Sequence, residues 1–384
     1  MSTEPASAYS RKNPFPATLT VNRKLTLEGS NKDTRHFEIG LSGSDLAYEV
    51  GDSLGVFARN DPDLIEGILK NQGFSGDEQV ANPDGKTVSL REALTKDYII
   101  SEPAKQLLQA LPERDSSSAF LTDLLDPGSK SHLDDYLWGR DVLDLLEEFT
   151  AAKFAPEEFV KVLRKLQPRL YSIASSQKTV GESVHLTVAI VRFQPEQSGH
   201  MHRGVCSTFL AERAEGDGKV PVFVHTAKHF RVPESQETPT IMVGPGTGIA
   251  PFRAFLQERR ATGAHGKNWL FFGEQKAGSD FFYKNEFESW QEEGILTKFV
   301  TAFSRDQAQK IYVQHRMLEN SAELFDWLEN GAIFYVCGDA SRMAKDVDTA
   351  LHQIVEKEGS KTPEQAKEYV DALKKQKRYR KDVY

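Results

Sequence analysis

Alternating hydrophobic and polar positions dominate the first part of the chain. One side of the first alternation is apolar and consists of Leu19, Val21, Leu25 and Leu27. The pattern repeats at 37–41 and, more briefly, at 53–58. A period of two is typical of strands with one buried face, so these segments are predicted as antiparallel strands. The preceding residues, 1–13, are predicted to be a flexible tail.

Helical spacing begins at the start signal Asp61-Pro62, with apolar residues three and four positions apart. Further helices are predicted at 89–96, 103–111, 132–150 and 155–166. Strand patterns then return at 168–174, 183–193 and 220–225, with a short helix at 207–212 between the last two. The economical interpretation is an antiparallel β-barrel over 14–59 and 166–236, interrupted by a helical insert over 60–165.

The remaining part of the chain, 237–384, alternates strand and helix patterns. Its predicted strands are TIMVG, WLFFG, LTKFVTAF and AIFYVCG, and its predicted helices span 250–261, 281–293, 313–329 and 341–358. Such alternation predicts a doubly wound parallel α/β sheet with helices on both faces. The fold class is therefore β plus α/β.

Charge and cysteine content exclude several classes of function. Asp and Glu total 56 against 48 Lys and Arg, a net charge of −8, so no nucleic-acid partner is expected. Neither cysteine has a neighbour at metal-ligand spacing, and His200 and His202 lie in a polar loop, so no metal is predicted. The chain start has no apolar signal region, and no apolar run is long enough for a membrane, which predicts a cytoplasmic protein.

The glycine-rich segment GPGTGIAPFRAF, 244–255, is the strongest motif in the sequence. It lies between an apolar strand and a helix, where small residues such as Gly246, followed by Thr247, let a pyrophosphate approach backbone N–H groups. A glycine-rich turn without a ligand is the alternative. The third glycine of the Rossmann pattern is replaced by Ile249, and no G-K-[ST] follows, which argues against kinases and NTPases.

A polar segment after the strand LTKFVTAF contains two cations and an aromatic residue. Ser304 and Arg305 are followed by Lys310, Ile311 and Tyr312. Arginine grips a phosphate with two hydrogen bonds and lysine adds a point charge, which suits the 2′-phosphate of NADP. An ordinary solvated loop is the alternative.

Two further motifs lie in the predicted barrel. RLYS, 169–172, places a cation and an aromatic ring on one face of a strand, and GVCSTFL, 204–210, offers a second pyrophosphate turn before a short helix. A core tyrosine beside an exposed arginine and an ordinary helix cap are the alternatives. Two phosphate-binding turns suggest two dinucleotides.

In this order, RLYSIASS, HLTVAIVRF, GVCSTFL, VGPGTGIAPFRAF, WLFFGEQ and YVCGDASRMAKDV resemble the ferredoxin-NADP reductase superfamily. The chain is most similar to the branch that contains the NADPH-sulfite reductase flavoprotein and cytochrome P450 reductase. The resemblance implies an FAD-binding barrel with a helical connecting insert, followed by an NADP-binding α/β domain.

The resemblance also assigns site residues. Arg169 would hold the FAD pyrophosphate, Tyr171 would stack on the isoalloxazine and Ser172 would hydrogen-bond near flavin N5. The remaining FAD positions are Leu170, Thr187, Val188, Ala189, Phe193, Gly204, Val205, Cys206, Ser207 and Tyr384. The NADP positions are Gly246, Thr247, Ser304, Arg305, Lys310, Ile311, Tyr312, Val313, Gln314 and Asp346. Ser172, Cys337, Asp382 and Tyr384 would form the catalytic group, in which Asp382 supports Ser172 and Cys337 and the ring of Tyr384 covers the flavin.

The implied activity is an NADPH-dependent flavin oxidoreductase that passes a hydride to FAD and then single electrons to a partner. Because only a short tail precedes the barrel, no internal FMN domain is expected, and the electrons would leave for a separate protein. The resemblance favours the sulfite reductase hemoprotein of assimilatory sulfur metabolism as the partner. A stand-alone ferredoxin or flavodoxin NADP reductase, with a small carrier as partner, is the first alternative. A binding protein without catalysis is the second.

Overall fold

The computed structural model describes residues 7–214 and 219–384. Its strands are β1 Phe15–Lys24, β2 Thr34–Gly40, β3 Ser53–Val56, β4 Gln79–Ala81, β5 Thr87–Ser89, β6 Tyr98–Ile99, β7 Arg164–Lys165, β8 Arg169–Ser172, β9 Ser183–Ala189, β10 Arg192–Phe193, β11 His202–Arg203, β12 Lys219–His225, β13 Thr240–Val243, β14 Asn268–Glu274, β15 Lys298–Phe303, β16 Ile333–Gly338 and β17 Tyr379–Val383.

The helices are α1 Pro62–Gln72, α2 Leu90–Lys96, α3 Lys105–Ala110, α4 Leu121–Leu124, α5 Lys130–Leu137, α6 Val142–Glu148, α7 Pro156–Lys161, α8 Gln177–Val180, α9 Val205–Thr208, α10 Ala250–Thr262, α11 Ala277–Asp280, α12 Lys284–Glu292, α13 Val313–Glu319, α14 Ser321–Glu329, α15 Met343–Glu358 and α16 Pro363–Lys375. A π-helical turn, Phe209–Arg213, follows α9. None of the helices in the described ranges is both long enough and apolar enough to cross a bilayer.

Contacts along the chain define two compact units. The sheet unit comprises 7–55, 170–189 and 221–384, and the helical unit comprises 56–169 together with the described residues of 190–220. The domain boundaries predicted from the sequence follow the expected ligand-binding role of each segment, whereas these two units are defined by compactness. Those boundaries therefore remain predictions. Of the predicted tail, 1–6 lies outside the described residues, and the Ser7 hydroxyl donates to the Ser44 carbonyl over 2.7 Å.

A six-stranded sheet, in the order β8-β3-β12-β1-β2-β9, lies almost entirely in the sheet unit. The β1–β2 and β2–β9 pairs are antiparallel, as the alternation predicts. The register of β1 shifts between Leu19 and Val21, and the strand ends at Lys24, so Leu27 is not on the buried face as predicted but is 62% exposed. Closure of this sheet into a barrel stays a prediction.

The second sheet of the sheet unit has five parallel strands in the order β15-β14-β13-β16-β17. This confirms the predicted parallel α/β arrangement of the C-terminal part. Ile241 and Val243 pack into one hydrophobic cluster and Met242 into the other, so helices cover both faces. The chain moves outward in opposite directions from β13 and β16, which makes their carboxyl ends the topological switch point.

A separate hydrophobic core, made only from residues between 65 and 163, holds the helical unit together. Asp61 caps α1 by accepting from the Asp63 N–H, as predicted. The helix predicted at 132–150 is instead two helices, α5 and α6, because Asp141 and Asp144 form a reciprocal capping box that starts a new helix. The helix predicted at 155–166 ends earlier, at Lys161.

Two further predicted elements are interrupted, and two elements were not predicted. The helix predicted at 313–329 is interrupted at Asn320, between α13 and α14. The strand predicted at 183–193 is two strands, β9 and β10. The hydrophobic pattern predicts neither α16 nor the charged edge strand β17, which pairs with β16.

Candidate functional site

The glycine-rich turn meets β16 at the switch point of the parallel sheet. It follows β13 directly and leads into α10. A Cβ atom on Gly248 would lie 2.1 Å from the backbone oxygen of Cys337, so only glycine allows this approach. Gly246 has φ +58°, and Thr247 follows it. The turn therefore has the backbone geometry and the position in the sheet that a nucleotide phosphate requires.

Three predicted catalytic side chains meet at the same edge. Cys337 and Asp382 lie opposite each other in the β16–β17 register. The Ser172 hydroxyl, at the end of β8, donates to Asp382 Oδ2 over 2.6 Å, and Cys337 Sγ lies 3.9 Å from that oxygen. One carboxylate oxygen thus holds both a hydroxyl and a thiol, although Ser172 and Asp382 are 210 residues apart in the chain.

The thiol of Cys337 is fully buried. Burial raises its pKa well above the ordinary value, and the negative charge of Asp382 raises it further. The side chain is therefore a neutral thiol at physiological pH. A neutral thiol is a poor nucleophile, so the arrangement suits contact with a ligand better than covalent catalysis.

The last residue closes this edge of the sheet. The Tyr384 N–H donates to the Gly338 carbonyl over 3.1 Å, and the Tyr384 carbonyl accepts from Ala340 N–H at the same distance. The Tyr384 hydroxyl lies 2.8 Å from Thr247 Oγ1, while the residue as a whole is 57% exposed. We call Ser172, Thr247, Cys337, Asp382 and Tyr384 the sheet-edge cluster.

The predicted 2′-phosphate residues lie on the segment after β15, which we call the polar segment, 304–314. Its beginning is tied to the end of β14, since Ser304 N–H donates to the Glu274 carbonyl and Arg305 N–H donates to the Gln275 carbonyl. The side chains of Arg305 and Lys310 are exposed, and Tyr312 is 43% exposed. Two cations and a ring are therefore presented to solvent next to the carboxyl end of the parallel sheet.

Two further NADP positions are brought together by helices. Gln314, on α13, donates to Asp346 Oδ2, on α15, over 3.3 Å. Val313 is buried and Ile311 half-buried, so these two side chains anchor the polar segment. Both helices begin at the carboxyl end of the parallel sheet.

The FAD positions of the sheet unit lie on β8 and β9. Leu170 is 44% exposed, Tyr171 is half-buried, and Ala189 is exposed. The hydroxyl of Thr187 is buried and lies 2.7 Å from the Tyr283 hydroxyl. Thr187 and Val188 therefore pack inside the unit, and of the three β9 positions only the side chain of Ala189 is open to solvent.

The FAD positions of the helical unit surround the second turn. Gly204 N–H donates to the Val191 carbonyl over 2.9 Å, and Ser207 Oγ accepts from Val191 N–H over 3.2 Å. A Cβ atom on Gly204 would lie 2.6 Å from Ser207 Oγ, so the turn is as tight as the motif predicts. Val205 is half-buried and Cys206 is buried; Phe193 and Arg169 are exposed.

The sequence analysis missed two clusters of histidine and acidic side chains. Asp141, Asp144, His200 and His202 form one cluster, and His36, Glu38 and His185 form the other. The spacings D-x-x-D and H-x-H were visible in the sequence, but nothing there linked a helix start to a loop more than fifty residues away.

Two family matches cover most of the chain. Residues 7–209 match the FAD binding domain, and residues 242–349 match the oxidoreductase NAD-binding domain. The fold and the sheet-edge geometry, with these matches, define an oxidoreductase that binds a flavin and a nicotinamide nucleotide. The chain belongs to the FAD binding domain family, which confirms the resemblance and the predicted order of the FAD-binding and NAD-binding domains.

Curated relatives agree with this assignment. The chain is 48% identical to the sulfite reductase [NADPH] flavoprotein alpha-component of Bacillus subtilis, 46% to that of Mannheimia succiniciproducens and 47% to that of Aliivibrio fischeri. Each alignment covers 98% of this chain, but only 62%, 62% and 61% of the respective relative. The chain therefore spans about three fifths of the length of these relatives.

Proposed function

We propose that this protein transfers electrons from NADPH through FAD to a separate one-electron acceptor. The observation that carries the proposal is the sheet-edge cluster, in which Ser172, Cys337 and Asp382 meet beside the Gly248 turn. These side chains fit a flavin–nicotinamide site, because they offer a hydroxyl and a neutral thiol at the switch point of a parallel sheet. The relatives named above carry NADPH in their name.

FAD, if bound at this site, would supply the chemistry that joins a hydride donor, NADPH, to a one-electron acceptor. The chain's own contribution is positioning. Asp382 holds the Ser172 hydroxyl and the buried Cys337 thiol at one oxygen, which would keep both groups in fixed positions at the edge of the site. Tyr384 would cover the flavin, and the exposure of this residue would let its ring give way to nicotinamide.

The polar segment selects NADPH over NADH. Arg305 and Lys310 bind the 2′-phosphate, and Tyr312 stacks on the adenine. The remaining contacts come from Gly246, Thr247, Ser304, Ile311, Val313, Gln314 and Asp346. The exposure of both cations supports this role, because neither has to leave a buried position to reach the phosphate.

The FAD contacts are assigned unit by unit. In the sheet unit, Leu170, Tyr171, Ser172 and Ala189 contact the flavin, with Thr187 and Val188 shaping the strand beneath. In the helical unit, the turn over 204–207 binds the pyrophosphate, together with Arg169, and Phe193 stacks. The antiparallel sheet of the sheet unit closes into the FAD-binding barrel.

The sulfite reductase hemoprotein is the proposed acceptor, and the cytoplasm the proposed location. The names of the relatives support this acceptor over the alternative, a small ferredoxin or flavodoxin. An acidic chain without a membrane-length helix in its described parts is compatible with either acceptor.

An anaerobic absorbance titration tests the proposal. The purified chain is expected to contain extractable FAD that NADPH bleaches much faster than NADH. Absence of bound or reducible flavin would reject the reductase function. Addition of the hemoprotein and sulfite to the reduced protein, in parallel with ferredoxin and flavodoxin, identifies the acceptor from the fastest reoxidation.

A further inference from the structure

Four metal-ligating side chains of the helical unit converge on one point. Asp141 and Asp144 lie at the start of α6, His202 begins β11, and His200 precedes that strand. One ligand atom from each side chain lies within 4.8 Å of the other three. The side chains of Asp141, Asp144 and His202 are only 4%, 5% and 8% exposed, so the cluster is built into the unit.

The spacing of the ligand atoms is close to that of a four-coordinate ion. His200 Nε2 lies 2.8 Å from Asp141 Oδ2, and His202 Nε2 lies 2.8 Å from Asp144 Oδ2 and 3.6 Å from Asp141 Oδ2. Tetrahedral zinc, with bonds near 2.0–2.1 Å, separates its ligand atoms by about 3.3 Å. An ion at the centre therefore requires the 2.8 Å pairs to open by about 0.5 Å, while wider pairs, all within 4.8 Å, close toward the same spacing.

The helix cap orients both carboxylates. Asp141 Oδ1 accepts from the Asp144 N–H over 3.0 Å, and Asp144 Oδ2 accepts from the Asp141 N–H over 2.8 Å. Asp141 Oδ2 is left facing the imidazoles. Backbone hydrogen bonds of this kind act as outer-shell contacts that hold a ligating oxygen in place before the ion binds.

The charge at the cluster favours a divalent cation. The charged groups that act on His200 are the carboxylates of Asp141, Asp144 and Glu147. Each buried carboxylate is paired with an imidazole over 2.8 Å, Asp141 with His200 and Asp144 with His202. A divalent ion would displace the protons shared in these pairs and bind both aspartates, whose two negative charges are costly to bury without a cation. One divalent ion neutralises both charges and uses both imidazoles.

The second cluster, in the sheet unit, is less suited to a cation because an arginine lies beside it. Arg253 Nη1 lies 3.4 Å from His185 Nδ1. Hydroxyl contacts do not separate the two clusters, because the Tyr283 hydroxyl lies 3.0 Å from His36 Nδ1 and Ser198 Oγ lies 3.1 Å from His202 Nε2. Burial, and then the positive charge of Arg253, lower the pKa of His36 to about 2 and that of His185 to about 4. A guanidinium already in contact with His185 repels a metal ion.

We propose that Asp141, Asp144, His200 and His202 form a structural site for a divalent transition-metal ion of the zinc class. Two imidazoles and two carboxylates suit zinc, and four protein ligands leave no open position for catalysis. The ion ties α6 to the segment that precedes the 204–207 turn. Because His202 pairs with Phe193 between β10 and β11, the site also fixes that short hairpin.

The test is a cobalt titration of the complete chain after chelator treatment, followed by competition with zinc. Wild-type protein is expected to bind one Co²⁺ with the intense visible absorption of tetrahedral coordination, and one equivalent of Zn²⁺ is expected to abolish that absorption. His200→Gln and Asp144→Asn are each expected to weaken binding by at least about 100-fold. His132→Gln, an exposed histidine on α5, is the matched control and keeps the wild-type affinity.

The wild-type measurement alone can overturn the proposal if either variant fails to fold. No cobalt bound at millimolar concentration, or only the weak spectrum of octahedral coordination, rejects the site. X-ray absorption that shows sulfur ligands, or fewer than two imidazoles, also rejects it. With folded variants, unchanged affinity in His200→Gln places the ion elsewhere. None of these measurements depends on flavin, so they remain decisive if the reductase function is wrong.

Discussion

The sheet-edge cluster and the polar segment differ in how far the fold fixes their side chains. Ser172, Cys337 and Asp382 are joined at one carboxylate oxygen, and Gly248 packs against the backbone of Cys337. The polar segment is tied to the sheet through its backbone, while the side chains of Arg305 and Lys310 extend into solvent. The two regions lie at the same end of one parallel sheet.

This difference corresponds to two physical tasks. A reacting centre gains from groups that are already in place, because misplacement by about 1 Å can cost a factor of about 100 in rate. A charged phosphate is captured effectively by exposed cations, since removing a cation from water in advance would be costly. Changes at the cluster should therefore alter rate, and changes at the polar segment should alter nucleotide affinity.

The largest expected effect is that of Asp382→Ala on flavin reduction. Loss of the shared oxygen releases both Ser172 and Cys337, so the rate with saturating NADPH should fall about 100-fold with little change in NADPH affinity. Anaerobic stopped-flow absorbance measures both quantities. Glu368→Gln, an exposed acid on α16, is the control. A loss of affinity with an unchanged limiting rate would contradict the positioning role.

The next effect is on the choice of nucleotide. Arg305→Ala and Lys310→Ala each remove a charge-assisted contact of about 1.5–3 kcal/mol, so each should weaken NADPH binding by at least about 10-fold and leave NADH nearly unchanged. Equilibrium binding of both nucleotides measures this, with Lys375→Ala, an exposed lysine on α16, as the control. Equal losses for NADPH and NADH would show that the polar segment does not contact the 2′-phosphate.

Gly248→Ala tests the tight packing of the cluster without removing a functional group. Its new methyl group would meet the Cys337 backbone oxygen at 2.1 Å, and overpacking of this kind costs about 1–3 kcal/mol of unfolding free energy. Urea unfolding provides the measurement. Gly278→Ala, on α11, meets nothing within 4 Å and should be neutral or slightly stabilising. Equal stability of both variants would mean that the turn can move away from β16.

Most of the parallel sheet could be predicted from its sequence because three central strands are apolar on both faces and helices follow them. β17 could not, because an edge strand pairs on one side only and tolerates the charges of Arg380, Lys381 and Asp382. The break between α5 and α6 was missed for a different reason. The side chains of Asp141 and Asp144 accept hydrogen bonds from backbone N–H groups at the start of α6, and so begin a new helix. The spacing of apolar residues carries no information about such side-chain hydrogen bonds.

The candidate site also has parts that the sequence predicts and parts that it does not. The two glycine turns proposed to bind phosphate were recognisable because glycine spacing is local and has a direct backbone cause. The meeting of Ser172 with Asp382 was expected only from the family resemblance, since no spacing relates residues 210 positions apart. The four-residue cluster around His200 had two short local spacings but nothing that linked them and no family assignment, so only the structure shows that the four side chains meet.

The smallest expected effect is that of substituting Tyr384. This residue combines features of both regions, because it belongs to the sheet-edge cluster and yet is exposed, like the cations of the polar segment. Aromatic stacking of about 0.5–1.5 kcal/mol opposes entry of nicotinamide, so Tyr384→Ala should raise the catalytic efficiency with NADH by about 2–10-fold. NADPH should gain less, since the proposed 2′-phosphate contacts would already drive its binding. Tyr384→Phe keeps the ring and loses the hydroxyl contact with Thr247, so it should behave like wild type toward NADH. If Tyr384→Phe gained as much as Tyr384→Ala, the hydrogen bond rather than the ring would be the barrier, and the stacking role of Tyr384 would be wrong.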